Sequence, residues 1–256
     1  MIHRMRIAVF SDIHGNGLAL EAVLADIQSK APDRLVCLGD AIQGGPQPAQ
    51  VVRRLRELQC PVVMGNADAW LLTGEGTGDE VITSERLQAM NEVRRWTLAQ
   101  LSSDDLAFMA AFQPTVELAL DLDDKFTLLA YHGSPKSFDD VILPDIAQDK
   151  LAEYLHGHTA DIYCGGHTHV QFVRRVGAGP QVHFNPGSVG LAYSHHQPDQ
   201  GFQVDHWAEY AMLTVDDHRL ALEFHRVPLD VTALMTIYQH SGRPHSASAM
   251  AQYRGR

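Results

Sequence analysis

The sequence predicts an α/β fold, because short apolar runs alternate with amphipathic stretches from the amino terminus onward. Residues 7–10 are apolar with a β-branched bias and no helical period, which is typical of a fully buried strand. Residues 17–30 follow with their apolar side chains on one helical face. A second strand, a second helix and a third strand are predicted at residues 34–38, 47–58 and 61–64. This strand–helix rhythm indicates parallel strands in one sheet.

A helical excursion is predicted over residues 66–113, after the third strand. A glycine-rich stretch at residues 74–78 is expected to be flexible. Helical patterns follow at residues 84–101 and 103–112, and each opens with a serine that we expect to be its N-cap. This excursion is expected near the strand ends, where it would wall a substrate pocket.

The second half of the chain predicts a hairpin followed by more strands and two helices. Residues 115–120 and 126–131, joined by a polar turn at residues 121–124, indicate an antiparallel hairpin. Further strands are predicted at residues 161–164, 170–176, 181–184, 210–215 and 220–226, and helices at residues 145–156, with Gly157 as its cap, and 229–239. Residues 1–240 are therefore expected to form one domain, and residues 241–256 a mobile polar tail.

Composition and charge limit the classes of function that the chain can have. The 256 residues are 45% hydrophobic and 20% charged, the balance of a globular protein. A net charge of −11, with no cluster of lysine or arginine, argues against a nucleic-acid groove. No apolar run approaches the roughly 20 residues of a membrane span. Three cysteines without a pairing pattern, and no signal peptide, predict a protein of the reducing cytoplasm that does not associate with a membrane. The oligomeric state stays open.

Polar side chains follow the predicted strands at the point where each strand ends, and a glycine lies beside or near each of them. Asp12 and His14 are two residues apart, so in an extended segment their side chains point the same way. The carboxyl ends of parallel strands meet at one edge of a sheet, where α/β proteins place their sites. The residues in such positions are Asp12, His14, Asp40, Asn66, His132, His167 and His169.

These seven nitrogen and oxygen ligands predict a metal centre. They are too many for one tetrahedral ion, but they suit two ions about 3.5–4 Å apart that share a carboxylate. Imidazole and carboxylate ligands without thiolate favour Mn, Fe or Zn over Ca or Mg, and we favour Mn. Strand-end loops gather polar residues without a metal too, although seven at successive strand ends make that alternative improbable.

Five motifs in order resemble those of the calcineurin-like metallophosphoesterases. They are Ser11-Asp12-Ile13-His14-Gly15-Asn16, Gly39-Asp40, Gly65-Asn66-Ala67-Asp68, His132-Gly133 and Gly166-His167-Thr168-His169. Pro186-Gly187-Ser188-Val189-Gly190 resembles the small bacterial and archaeal phosphodiesterase branch of that superfamily. The resemblance spans about residues 6 to 190. It implies a four-layer α/β/β/α sandwich, with two mixed sheets packed face to face and helices on both outer sides.

The resemblance also implies roles for individual residues. One ion would be held by Asp12, His14 and His169, and the other by Asn66, His132 and His167. Asp40 would bridge the two ions and act in catalysis beside a metal-bound hydroxide. Contacts with the substrate or the leaving group are expected from Asn16, Asp68, Ser134, His195 and His196, although a solvated loop is the favoured interpretation for the last two.

Two positions depart from the pattern of the superfamily, and three further features imitate ligands. Ala67 stands where many of these phosphatases have a histidine that protonates the leaving oxygen. Leu191 and the two residues after it stand where relatives often have a basic residue that contacts phosphate. His156-Gly157 and Gly157-His158-Thr159 mimic two of the motifs, but they fall at a helix end and are interpreted as surface residues. Cys164 is interpreted as a buried strand thiol.

The sequence thus predicts a binuclear metal-dependent hydrolase that acts on small phosphoesters. A phosphodiesterase is favoured, and nucleotides, cyclic nucleotides and dinucleoside polyphosphates are all admissible substrates. Phosphomonoesterase or dinucleoside polyphosphate hydrolase activity is the alternative within the same chemistry. An alternative of another class is a non-catalytic scaffold or binding protein on this fold, for which degraded ligands would be the expected sign.

Overall fold

The computed structural model describes residues 4–76, 83–120, 126–197, 201–216 and 219–253. The strands are β1 Arg4–Phe10, β2 Arg34–Cys37, β3 Val116–Ala119, β4 Thr127–Ala130, β5 Ile162–Cys164, β6 Gln171–Arg175, β7 Val182–Pro186, β8 Trp207–Asp216 and β9 Arg219–Pro228. The helices are α1 Gly17–Ser29, α2 Pro48–Leu58, α3 Asn66–Thr73, α4 Ser84–Ala99, α5 Ser103–Ala110, α6 Gln148–Leu155, α7 Val231–His240 and α8 Ser246–Ala251.

The strands form two mixed sheets. The first has the order β2-β1-β8-β9, in which β1 is parallel to β2 and antiparallel to β8. The second has the order β3-β4-β5-β7-β6, in which β4, β5 and β7 are parallel and both edge strands are antiparallel. The predicted hairpin is confirmed as β3 and β4, while its turn at residues 121–124 lies outside the described residues.

The two sheets pack face to face, and helices cover both outer faces. Alternate residues of a strand point to opposite faces, and β1 shows this directly. Ile7 and Val9 lie in a core shared with the second sheet, whereas Ala8 and Phe10 pack with α1 and α2. On the other side of the molecule, Leu129 of β4 packs with α6. The expected four-layer α/β/β/α sandwich is therefore confirmed.

Several local predictions were wrong. Residues 61–64 form two isolated parallel bridges instead of a strand, and Pro61 has no N–H with which to extend the pairing. The helix α3, which had no predicted counterpart, begins at Asn66 and is followed by its C-cap Gly74, which has a φ of +76°. The N-caps of α4 and α5 are Thr83 and Ser102, each one residue before the predicted serine. Residues 77 and 78 of the predicted flexible stretch lie outside the described residues.

The carboxyl-terminal residues also differ from the expected mobile tail. Residues 246–251 form α8, and both Met250 and Tyr253 are buried. They pack with Val204, Leu234 and Tyr238 in a separate apolar cluster. Two apolar side chains three residues apart thus anchor a stretch whose composition is otherwise small and polar. In the parts of the chain that the structure describes, no helix has both the length and the apolar character that a membrane span requires.

Candidate metal centre

All seven predicted ligand residues lie at one end of the two sheets. Asp12 and His14 follow β1, and Asp40 follows β2. His132 follows β4 in the second sheet, and β5 leads into the turn that carries His167 and His169. Asn66 is the exception, because it is the first residue of α3. The site therefore lies where the carboxyl ends of strands from both sheets meet.

Asp12, His14 and His169 form the first of two ligand groups. Their ligand atoms all lie within 4.8 Å of one another. The Oδ1 atom of Asp12 is 3.2 Å from Nε2 of His169 and 3.8 Å from Nε2 of His14. The two Nε2 atoms are themselves 3.2 Å apart.

The second group consists of Asp40, His132 and His167, whose ligand atoms also lie within 4.8 Å of one another. The side-chain oxygen of Asn66 is 3.0 Å from Nε2 of His132 and joins this group. The Oδ2 atom of Asp40 is 3.4 Å from Nε2 of His132 and 3.7 Å from Nε2 of His14. Asp40 therefore contacts both groups, which is the arrangement that a bridging carboxylate requires.

Backbone carbonyl groups fix the protonation of three of the histidine rings. The Nδ1 atoms of His14, His132 and His169 lie 3.0, 2.8 and 2.6 Å from the carbonyl oxygens of Gln43, Leu38 and Leu191, respectively. A carbonyl oxygen only accepts hydrogen bonds, so each Nδ1 carries the proton. Each Nε2 lone pair is then available inside the site, as in metal-ligating histidines.

This donor set fits divalent cations. Among the described residues, Oδ1 of Asp12 is buried and has no hydrogen-bond partner. Its neighbours at 3.2 and 3.8 Å are the Nε2 atoms of His169 and His14, which also present lone pairs. Buried acceptors that face only other acceptors are unfavourable, and either protons or metal ions must lie between them.

The charges of the site couple the carboxylates to the imidazoles. Burial disfavours the charged form of His132, but the adjacent Asp40 carboxylate outweighs it and raises the pKa of His132 to about 10. Burial likewise opposes the charge of His169, and the Asp12 carboxylate nevertheless raises its pKa. Burial lowers the pKa of His14. In the metal-free protein, His132 and His169 therefore favour the protonated form, and metal ions that bind there must displace these protons.

The ligand-bearing turns have an unusual backbone conformation. Five of the seven residues have a positive φ: Asp12 at 55°, His14 at 47°, Asp40 at 48°, His167 at 67° and His169 at 58°. For residues with a Cβ atom, such conformations carry a cost of about 1–3 kcal/mol each and occur mostly at functional sites. Hydrogen bonds between neighbouring turns hold them in place, such as His14 N–H to Asp40 O at 2.8 Å.

Two glycines allow these turns to approach one another. A Cβ atom at Gly65 would overlap the Asp40 carboxylate, and one at Gly190 would overlap the carbonyl group of Ile13. The N–H of Gly190 donates to the carbonyl oxygen of Asp12 at 2.9 Å. The loop at residues 186–190 thus packs directly on the first ligand turn.

Three of the residues predicted to contact substrate are buried and make hydrogen bonds within the protein, although Asn16 also lines the cavity beside the site. Asn16 caps α1 through the N–H of Ala19 at 3.1 Å and donates to the carbonyl oxygen of Gly190 at 3.3 Å. Ser134 donates to a carboxylate oxygen of Asp140 at 2.5 Å. Polar side chains beside metal ligands look alike in a sequence, whether they support the loops or face the substrate.

Asp68 is the third residue with such a structural role. Its carboxylate accepts the N–H groups of Ala41 and Ile42, both at 3.0 Å, and so fixes the turn that follows Asp40. Burial and the Asp40 charge raise the pKa of Asp68 to about 7.

The two loop histidines lie at the edge of the site or outside it. Nε2 of His195 is 2.7 Å from the carbonyl oxygen of Thr168, and its ring stacks on Tyr193, which contacts the ring of His169. His196 is exposed, and its backbone N–H donates to Ser194.

The features that imitate ligands lie elsewhere. Residues 156 and 157 are exposed at the end of α6, where Gly157 has a φ of +93°. Cys164 is buried in β5 and belongs to neither ligand group, and burial raises the pKa of its thiol.

A cavity of about 720 Å³ opens beside the ligand groups and contains residues that the sequence did not suggest. His14 and Asn66 line it from the metal centre. The other walls come from α3, α4 and the carboxyl-terminal residues, among them Trp70, Leu87, Met90, Val93, Tyr238, Arg243, His245 and Ser248. Residues of α3 and α4, which fall within the predicted helical excursion, line this cavity. The carboxyl-terminal wall was missed, because no local pattern links residues about 200 positions apart.

Comparisons with known proteins agree with this geometry. The family model for the calcineurin-like phosphoesterase superfamily domain matches residues 5–218. An uncharacterized protein of Methanocaldococcus jannaschii is 28% identical over 244 residues, which cover 88% of each chain. A metallophosphoesterase structure from Sphaerobacter thermophilus is 26% identical with a TM-score of 0.65, over 96% of this chain and 98% of that one. A hypothetical protein structure from Pyrococcus horikoshii is 18% identical with a TM-score of 0.76, over 98% and 99%, and shows the shared fold.

Replacing Asp40 by asparagine is expected to weaken metal binding and turnover more than any other single change. The substitution removes the charge that faces both ligand groups. Metal affinity and kcat should therefore fall by more than the roughly 10–100-fold that is typical when a residue that only supports a ligand is replaced. Elemental analysis after gel filtration and kcat measurements would test this. His196→Ala, an exposed change outside the site, should keep wild-type metal content. Wild-type activity in Asp40→Asn would place the site elsewhere.

Metal binding is expected to release protons near neutral pH. The raised pKa values of His132 and His169 favour bound protons in the metal-free protein, and a metal ion must displace them. Apparent metal affinity should therefore increase with pH, by about tenfold per unit for each proton displaced, and level off near the pKa of about 10 for His132. Titration calorimetry in buffers with different ionisation enthalpies measures the release. Equal heats in all buffers would contradict the competition.

Proposed function

Because the chain belongs to the calcineurin-like phosphoesterase superfamily, we propose that it hydrolyses phosphodiesters at a centre of two divalent metal ions, with Mn favoured. The observation that carries this proposal is the position of Asp40. Its Oδ2 atom lies 3.4 and 3.7 Å from Nε2 atoms of two separate ligand groups. A shared carboxylate between two sets of imidazoles is the donor arrangement of two-metal hydrolases.

Seven residues of the site would bind the ions, and a backbone N–H group orients the carboxylate that they would share. Asp12, His14 and His169 would hold one ion, Asn66, His132 and His167 the other, and Asp40 both. The N–H of Ala67 donates to Oδ1 of Asp40 at 2.8 Å, which leaves Oδ2 directed between the two groups. When bound, divalent ions acidify water and neutralise charge on the phosphoryl group.

The charge balance explains how an acidic protein could attract a phosphoester. Two carboxylates, those of Asp12 and Asp40, would face two ions with a total charge of +4, so the loaded site keeps a positive charge. Local fields of bound cations outweigh the distant surface charge, here a net −11. Asn66 contributes an oxygen ligand without reducing that positive charge.

The cavity supports an ester with an organic group of nucleotide size. Its volume of about 720 Å³ lies in the range of sites for organic ligands and far exceeds the space that a phosphate ion needs. Apolar side chains such as Trp70, Met90 and Val93 line the part of the cavity beyond the metal centre.

Cys37, Cys60 and Cys164 are all free thiols, which supports the proposed cytoplasmic setting.

A screen of phosphoesters with the Mn-reconstituted protein tests the proposal. We expect phosphodiesters to be the best substrates, ahead of monoesters and dinucleoside polyphosphates. Preference for a monoester would make the protein a phosphomonoesterase. Absence of turnover on every phosphoester, with two ions bound, would favour the non-catalytic scaffold.

The reaction is expected to depend steeply on the acidity of the leaving group, because Ala67 cannot protonate it. General acids typically contribute about 10²–10⁴-fold, and this contribution should be largest for poor leaving groups. For a series of substituted phenyl diesters, log kcat/KM plotted against leaving-group pKa should have a steep negative slope. Ala67→His should reduce that slope, since Ala67 lines the cavity and only its backbone contacts Asp40.

Ala69→His, on the same helix, is the matched control and should keep the steep slope. A flat slope in the wild-type protein would contradict the prediction and indicate that another acid, such as His195, already protonates the leaving group.

A further inference from the structure

The carboxyl-terminal residues 241–253 form one wall of the substrate cavity, although the family model ends at residue 218. Their position is fixed by hydrogen bonds and apolar contacts with other parts of the chain. Tyr253 donates its hydroxyl group to the carbonyl oxygen of Gly190 at 3.2 Å, and the N–H of Val204 donates to Gln252 O at 2.8 Å. Met250 and Tyr253 are buried. The wall is thus tied to the loop that packs on the first ligand turn.

Arg243 is the cation that this wall brings to the cavity. Its Nε donates to the carbonyl oxygen of Gly44 at 2.5 Å, and its Nη1 donates to Pro244 O at 2.8 Å. The guanidinium group also lies 5.8 Å from the centre of the Tyr238 ring. These contacts hold a normally flexible side chain in one orientation, which is how arginine is prepared to bind an anion.

The position of Gly44 places Arg243 beside the metal centre. Gly44 packs directly on His14, since a Cβ atom added to it would lie 3.6 Å from Cβ of His14. The preceding residue, Gln43, accepts the hydrogen bond from Nδ1 of His14. His14 and Arg243 also line the same cavity.

The charge of Arg243 is not neutralised by the protein. Among the described residues, no carboxylate pairs with it, and its two hydrogen bonds go to neutral carbonyl groups. By contrast, nearby His245 is paired with Glu92 at 2.8 Å. A half-buried guanidinium group with unused N–H groups beside a proposed phosphoester site is complementary to a phosphoryl oxygen.

We propose that Arg243 binds a non-bridging phosphoryl oxygen of the substrate. Leu191, which follows the Pro-Gly-Ser motif, is uncharged and cannot make this contact. The inference rests on the proposed function for the identity of the substrate. Ser248 of the same wall and Tyr238 of α7 also line the cavity, so these residues would contact the organic group of the ester.

Inorganic phosphate is the probe that tests this proposal without requiring turnover. Its dissociation constant is measured by calorimetry on Mn-loaded wild-type protein, Arg243→Ala and Arg243→Gln. Loss of a hydrogen bond to a charged group should weaken phosphate binding by about 10–100-fold, with unchanged Mn content. Arg54→Ala is the matched control, because Arg54 is paired with Glu21 on the surface and should leave phosphate binding unchanged. The KM for the best phosphoester should increase in parallel, while kcat changes less.

Wild-type phosphate affinity in Arg243→Ala would overturn the proposal. If that variant fails to fold, Arg243→Gln decides in its place, because the glutamine amide can still donate to Gly44 while it lacks the charge. Failure of the proposed function is a separate result, since it would be seen as absence of phosphoester turnover in the wild-type protein itself.

Discussion

Buried lone pairs that face one another at the strand ends are the constraint on which the rest of the structure depends. Three imidazole rings donate Nδ1–H to backbone carbonyl groups, so their Nε2 atoms point at each other and at the carboxylates of Asp12 and Asp40. Without positive charge between them, this arrangement is unfavourable. Although burial opposes it, the Asp40 carboxylate raises the pKa of His132 and favours a proton there in the metal-free protein, and divalent ions are suited to replace that proton.

The fold is organised to impose that arrangement. Left-handed conformations at five ligand residues place side chains from two sheets around a common centre, and each carries a local cost in free energy. Two cores, one between the sheets and one beneath α1 and α2, hold the turns against that cost. Glycines at positions 65 and 190 leave room for the neighbouring turns, and Asp68 ties the turn after β2 to α3. Metal binding would then require little rearrangement of the ligands.

The sequence identified the residues that cluster at the strand ends better than it predicted their surroundings. Candidate ligands such as Asp12 and His14 follow apolar runs and have glycine nearby. This pattern is local, so it can be recognised in the sequence without knowledge of the tertiary structure. Asn16 and Ser134 have the same polar character, yet they support loops, and only three-dimensional contacts separate the two roles. Arg243 gave no signal, because it meets Gly44 across 199 positions of the chain. Local patterns cannot specify contacts that depend on packing of the last helices.

Anomalous diffraction from crystals grown with Mn²⁺ tests the two-ion centre most directly. Two peaks about 3.5–4 Å apart are expected, as in other two-metal sites. One peak should lie beside Asp12, His14 and His169. The second should lie beside Asn66, His132 and His167, and Asp40 should contact both. A single peak, or two peaks without Asp40 between them, would contradict the shared-carboxylate centre on which the proposed hydrolysis depends.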